Sequence, residues 1–301
     1  MFKKMVIVEP INILDYQKEL LKHYTREIIF YDTIPSCDDE LIKRIGDADS
    51  VLVSYTTTIN DYVLKNCKSV KYIGMCCSLY SKESANVDIH YCEQNGIKVS
   101  GVRDYGDAGV AEYIIHELVE FLQGYKELKW DKLPREITNL KCAVIGLGTS
   151  GTLIAKTLKF FNADVSYFSR TRKEYLEDEL SIKYKPLEDL LRESEAVFLA
   201  LNKNVLLLQK EHFDLMSGKR ILFNTSIGPG FDPVALKNWL QDKNHFFFGD
   251  TLNTAGILEI WDLENTFTIN RSSGGYTYQA FERLGNKVII NIEDYLKNKS
   301  E

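Results

Sequence analysis

Three glycines in the run Gly146-Leu147-Gly148-Thr149-Ser150-Gly151 stand where a chain must turn tightly and let its backbone approach an anion. The flanks make this spacing informative. Before it, Lys141–Ile145 is a short apolar run that reads as a buried strand, and after it Thr152 to Phe161 places Ile154, Leu158 and Phe161 on one helical face. Strand, glycine turn and helix in that order form a dinucleotide-binding fingerprint: one glycine for the turn, one for close approach to a diphosphate, one for helix packing. The helix N-terminus adds free N–H groups and a partial positive charge. A second strand, Asp164–Phe168, ends at Ser169-Arg170-Thr171-Arg172. NAD sites carry an acid about 20 residues past the glycines for the ribose hydroxyls. Here hydroxyls and two guanidinium groups stand instead, which suit a 2′-phosphate. The cofactor expected is NADP(H), bound by Gly146, Gly148, Thr149, Ser150, Gly151, Ser169, Arg170, Thr171 and Arg172.

The elements that must position these groups follow from patterning. Strand signals at Met5–Val8, Glu27–Tyr31, Val51–Ser54, Tyr72–Cys76 and Ile97–Val99 alternate with helical stretches near Asp15–Tyr24, Asp38–Ile45, Asn60–Cys67 and Asp88–Gln94. A long helix from about Ala108 to Lys126 follows. Further strands are expected near 164–168, 196–201, 220–225 and 246–249, helix starts at Pro186 and Pro233, and a closing helix over Tyr278–Lys297. Alternation of this kind predicts an α/β chain with parallel sheets covered by helices.

Composition narrows the class. The 301 residues suffice for two domains, and 45% hydrophobic with 27% charged residues suits a soluble globular protein. A net charge of -6 without basic clusters argues against nucleic acid. No run reaches membrane-spanning length, and the N-terminal apolar run is too short for a signal peptide. Six cysteines without C-x-x-C spacing read as free thiols of a reducing cytoplasm, with Cys76-Cys77 as strand-end packing. Five histidines show no metal spacing, so no metal is expected.

From about Val70 onward the sequence resembles the D-isomer-specific 2-hydroxyacid dehydrogenases. The segments that carry the resemblance are Val87–Val99, Gly109-Val-Ala-Glu-Tyr113, Ile221–Asp232, Gly274-Gly-Tyr-Thr277 and Glu282-Arg283. It implies two doubly wound parallel-sheet domains with an interdomain cleft: a substrate domain of residues 1–104 plus 279–301, and a dinucleotide-binding domain of residues 105–278. It also implies a homodimer and a small-molecule substrate. Asp250 matches the family aspartate that holds the nicotinamide carboxamide, and Asn224, Thr225 and Ser226 would line the same side.

The departures from the family pattern redirect the chemistry. The family's Arg, which clamps and polarises a 2-oxo acid, is replaced by Ile227. Ala255 or a neighbour stands where the Glu belongs, and Ser272, in Asn270-Arg271-Ser272, where the His belongs. The substrate loop is the longer, glycine-free Cys76–Ala85. Without Arg and His a developing alkoxide loses its electrostatic partner and its proton donor, each worth ~10²–10⁴-fold in rate. Replacement candidates are Tyr80 with Lys82, whose ammonium would lower the phenol pKa, and Arg271 with Ser272. Aromatic Trp261 and Tyr276 are candidates for stacking on a ring, and His116 for reaching the cleft. The leading expectation is an NADP(H)-dependent reductase of a C=N bond or unusual carbonyl. The alternatives are an NADP(H)-binding pseudoenzyme or sensor, and a conventional 2-hydroxyacid dehydrogenase or glyoxylate/hydroxypyruvate reductase.

Overall fold

The computed structural model describes residues 1–125, 129–203, 205–269 and 273–298. In chain order the first elements are β1 (Phe2–Ile7), α1 (Asp15–Leu21), β2 (Thr25–Phe30), α2 (Asp38–Ile45), β3 (Ser50–Val53), α3 (Asp61–Asn66), β4 (Tyr72–Ser78), α4 (Ile89–Gln94) and β5 (Lys98–Val102). Then come α5 (Asp107–Gln123), β6 (Lys141–Ile145), α6 (Thr149–Phe160), β7 (Asp164–Phe168), α7 (Glu174–Leu180), β8 (Lys183–Tyr184) and α8 (Leu187–Glu193). The rest are β9 (Ala196–Leu199), α9 (Lys210–Leu215), β10 (Arg220–Asn224), α10 (Pro233–Trp239), β11 (His245–Gly249), β12 (Thr266–Thr268) and α11 (Tyr278–Asn298). Strands β8 and β12 escape the sequence pattern because two or three residues are too few to show a period.

The contacts divide the chain into two units, Met1–Tyr105 with Thr277–Glu301, and Gly106–Tyr276. The first is built on a parallel five-stranded sheet in the order β2-β1-β3-β4-β5. Alternation along its strands fills both faces. Val6, Val51, Val53, Ile73 and Cys77 meet Leu41, Ile45, Val63 and Cys92 on one face. Ile7, Leu52, Tyr72 and Cys76 meet Leu284, Val288 and Ile292 of α11 on the other. The neighbours Cys76 and Cys77 thus face opposite ways, and all six cysteines are free. Side-chain caps start the short helices: Asn60 accepts from the Val63 N–H at 2.9 Å, and Asp88 from the Tyr91 N–H at 2.9 Å.

The second unit carries a parallel seven-stranded sheet in the order β12-β11-β10-β9-β6-β7-β8. Helices α5 and α6 cover one face through Ile114, Leu118, Phe121, Ile154 and Leu158. The other face is covered by Leu190, Phe213, Leu236 and Trp239. Across β9, β10, β11 and β12 runs a ladder of near-parallel rings, Phe198, Phe223, Phe248 and Phe267, with centroids 5.1, 4.6 and 4.6 Å apart. Strand order reverses between β6 and β9, and in doubly wound sheets ligands bind at the carboxyl ends of strands at such a switch point. No helix among the described residues is long and apolar enough to cross a membrane.

Among the described residues this core includes an uncompensated hydroxyl. The Tyr113 hydroxyl on α5 is buried and has no hydrogen-bond partner among the described residues. Burial, with Glu117 and Asp250 nearby, holds its pKa far above that of a free phenol. Tyr113→Phe removes the unsatisfied group and keeps the ring, so urea unfolding should show a variant about 1 kcal/mol more stable; a loss of stability would mean the hydroxyl is satisfied.

Candidate functional site

The glycine turn after β6 has the geometry its spacing predicts. Gly146 has φ +94°, and a Cβ there would lie 2.4 Å from the carbonyl oxygen of Ala200, which follows β9. The turn therefore sits at the switch point, pressed against the neighbouring strand's end. A Cβ on Gly151 would lie 1.8 Å from the Gly146 carbonyl oxygen, so that side of α6 lies directly on the turn. At Gly148 the same test meets nothing within 4 Å. No side chain caps α6, and the N–H groups of Thr149, Ser150 and Gly151 have no acceptor among the described residues. Open backbone, free donors and the helix dipole fit a diphosphate. The Ser150 hydroxyl is otherwise engaged, donating to Asp107 in the first turn of α5.

At the end of β7 the chain bends. The Ser169 hydroxyl donates to the Thr171 carbonyl at 2.6 Å, and Arg170 is exposed with no ion-pair partner among the described residues. Arg172 differs. Its Nε and Nη2 donate to the two carboxylate oxygens of Glu177, both at 2.8 Å, and its guanidinium lies 5.7 Å from the Tyr184 ring centroid. This fork holds the Glu177 carboxyl down at a pKa of about 2. Glu177 was missed in the sequence because it lies on α7, and only the fold returns it to the strand end.

Asp250 follows β11 and is buried, accepting from the Gly274 N–H at 2.7 Å. Burial pushes its pKa up, against hydrogen bonds from Gly274 and Ser273 that pull it down. Asn224 is fully buried: its amide donates to Gly228 and Thr254 carbonyls and accepts from the Ser226 N–H, so it shapes the turn after β10. The Thr225 hydroxyl turns back to Leu199 at 3.4 Å. On that turn Ile227 is 60% exposed, an apolar side chain held in the open.

The remaining candidates are scattered. In the first unit the Lys82 ammonium lies on Glu93 at 2.6 Å, so its charge is already compensated rather than reserved for the Tyr80 phenol. The Tyr80 ring lies 5.7 Å from the Arg103 guanidinium, which donates to the Leu79 and Tyr80 carbonyls. Arg271 and Ser272 lie outside the described residues. Trp261 is half-buried, packing on Phe247 at the edge of the core and donating to the Leu252 carbonyl; Tyr276 is exposed. His116 is largely exposed beside Glu117 and Glu120, with Nε2 3.9 and 3.8 Å from their oxygens.

A family model for the catalytic domain of D-isomer-specific 2-hydroxyacid dehydrogenases matches residues 5–301. A glyoxylate reductase of Pyrococcus horikoshii is 30% identical over 222 residues, 67% of this chain and 65% of that enzyme. Among solved structures, an acyclic imino acid reductase in complex with NADPH and D-Arg aligns over 98% of both chains with a TM-score of 0.81 at 23% identity. The D-lactate dehydrogenase of Escherichia coli aligns over 98% of this chain and 97% of its own, with a TM-score of 0.79 at 20% identity.

Two substitutions separate the roles of the glycines. Gly151→Ala drives a methyl into backbone and should cost on the order of 3 kcal/mol or more in thermal unfolding. Gly148→Ala has room and should leave stability within about 0.5 kcal/mol of the parent while weakening nucleotide binding. Asp250 gives a pH signature. Its folded pKa lies above the unfolded value, so its ionisation destabilises the fold increasingly as pH rises from the unfolded pKa through the folded one. Asp250→Asn should raise the melting temperature at pH 8 and lose that advantage near pH 3; an equal effect at both would assign it to packing.

Proposed function

The chain belongs to the D-isomer-specific 2-hydroxyacid dehydrogenase family, and from that premise we propose that it is an NADP(H)-dependent reductase acting on a C=N bond rather than on a simple 2-oxo acid. The observation that carries this reading is an open glycine turn in the same unit as an exposed, uncharged Ile227, which the sequence resemblance matches to the family's substrate-clamping Arg. In support, a structure of the same fold was solved as an imino acid reductase with NADPH. The homodimer implied by the family resemblance belongs to the same proposal.

Each group on the chain then has a role. Gly146 to Gly151 hold the diphosphate through the first N–H groups of α6. Ser169, Thr171 and Arg170 face the adenosine 2′-phosphate, and Asp250 orients the carboxamide at the other end. When bound, the reduced nicotinamide would supply a hydride. A protonated imine carries its positive charge before reaction, and hydride addition removes it: the C=N π pair becomes the nitrogen lone pair and the product is an amine. No oxyanion develops, so a turn without a guanidinium is sufficient. For a 2-oxo acid the same turn leaves the developing alkoxide unpaired, at a cost of ~10²-fold or more in rate.

Turnover at fixed NADPH, on linear and cyclic imines set beside glyoxylate and hydroxypyruvate, tests this reading. Imine reduction should exceed 2-oxo acid reduction at least tenfold. Faster reduction of the 2-oxo acids would refute the C=N assignment, and binding of NADPH without oxidation on any substrate would identify a nucleotide-binding protein without catalysis.

A further inference from the structure

The two arginines after β7 look equivalent in sequence, yet they occupy different chemical states. Arg172 is bound side-on by both oxygens of Glu177 and lies over the Tyr184 ring. Glu177 also accepts from the Tyr167 hydroxyl at 2.8 Å, and that hydroxyl accepts from the Lys173 N–H at 2.8 Å. Strand β7, the loop and helix α7 thus meet in one hydrogen-bonded knot. A salt bridge between Lys156 and Glu179 at 2.9 Å ties α7 to α6 beside it. Beyond the knot the loop tip is folded by Ser169 onto Thr171. The Arg170 guanidinium, the Thr171 hydroxyl and the tip N–H groups of residues 170–172 have no acceptor or partner among the described residues.

We infer that Arg172 is a positioning residue, clamped by Glu177, which Tyr167 in turn holds, and that it presents a preformed tip on which Arg170 and Thr171 take the terminal phosphate monoester of the nucleotide. This rests on the NADP(H) reading proposed above. The physical ground is competition. A guanidinium in a two-bond fork with a carboxylate has its best donors satisfied and its charge neutralised, so swinging it to a phosphate exchanges one strong ion pair for another with little gain. Arg170 has no such partner to give up. Fixing the tip removes the entropy that a mobile loop would lose on binding.

The test measures dissociation constants for NADPH and NADH by protein-to-nicotinamide energy transfer in the full-length parent, Arg170→Ala, Arg172→Ala, Glu177→Gln and the Arg172→Ala/Glu177→Gln double variant. Arg170→Ala should weaken NADPH about tenfold or more and leave NADH unchanged. Arg172→Ala and Glu177→Gln should each weaken NADPH by a smaller and similar factor, again without moving NADH, and the double variant should be no worse than either. Raising salt should weaken NADPH binding less steeply in Arg170→Ala than in the parent, and as steeply as the parent in Arg172→Ala, because only the first loses a phosphate contact. General loss of structure would weaken both nucleotides together and lower the melting temperature.

Two results overturn the clamp while leaving the NADP(H) reading intact. One is tighter NADPH binding by Glu177→Gln, which would mean that the carboxylate restrains a phosphate ligand. The other is an Arg172→Ala loss as large as that of Arg170→Ala with a matching drop in salt dependence. If the parent binds NADH more tightly than NADPH, the NADP(H) reading fails and the clamp falls with it.

Discussion

The carbonyl oxygen of Gly146 lies against the α-carbon of Gly151, and the seven-stranded unit is built around that contact. A side chain at residue 151 would place a carbon 1.8 Å from the oxygen, so turn and helix can close only without one. Closure starts α6 directly above the end of β6. It also presses Gly146 against the carbonyl of Ala200, at the point where the order of the strands reverses. The same geometry leaves the first N–H groups of α6 without acceptors among the described residues. Backbone donors left bare cost free energy unless water or an anion meets them, so a fold that tolerates this arrangement is suited to an anionic ligand.

Support for the turn comes from ordinary packing on both faces of the sheet. Phe198, Phe223, Phe248 and Phe267 stack across four adjacent strands, and such a ladder fixes register because a one-residue slip would put every ring on the other face. Asn224 acts at the ladder's end, where its buried amide joins the turn after β10 to the 252–255 segment. Ile227 is presented on this stiff turn, so its exposure follows from the scaffold rather than from local disorder of packing.

Charge is distributed with the same economy. Many of the described surface cations are already paired, Lys82 with Glu93 and Arg172 with Glu177 among them, whereas Arg170, at the tip of its loop, has no ion-pair partner among the described residues. Surface ion pairs of this kind contribute little stability. Their consequence is directional: a paired cation is fixed in place and has little left to offer a ligand.

The sequence by itself determined the alternation of strands and helices, the glycine turn and the resemblance to the family. These are local or periodic signals: the short apolar runs of β3 and β4, the helix start at Pro233, and three glycines in a fixed spacing. Short edge strands such as β8 carried no such signal. The tertiary structure alone decided which of two neighbouring arginines is engaged, that Lys82 lies on Glu93, and that the Asn224 amide is consumed inside the fold. Each of these depends on a partner brought in from another element, and pairing across elements leaves no trace in the spacing of residues along the chain.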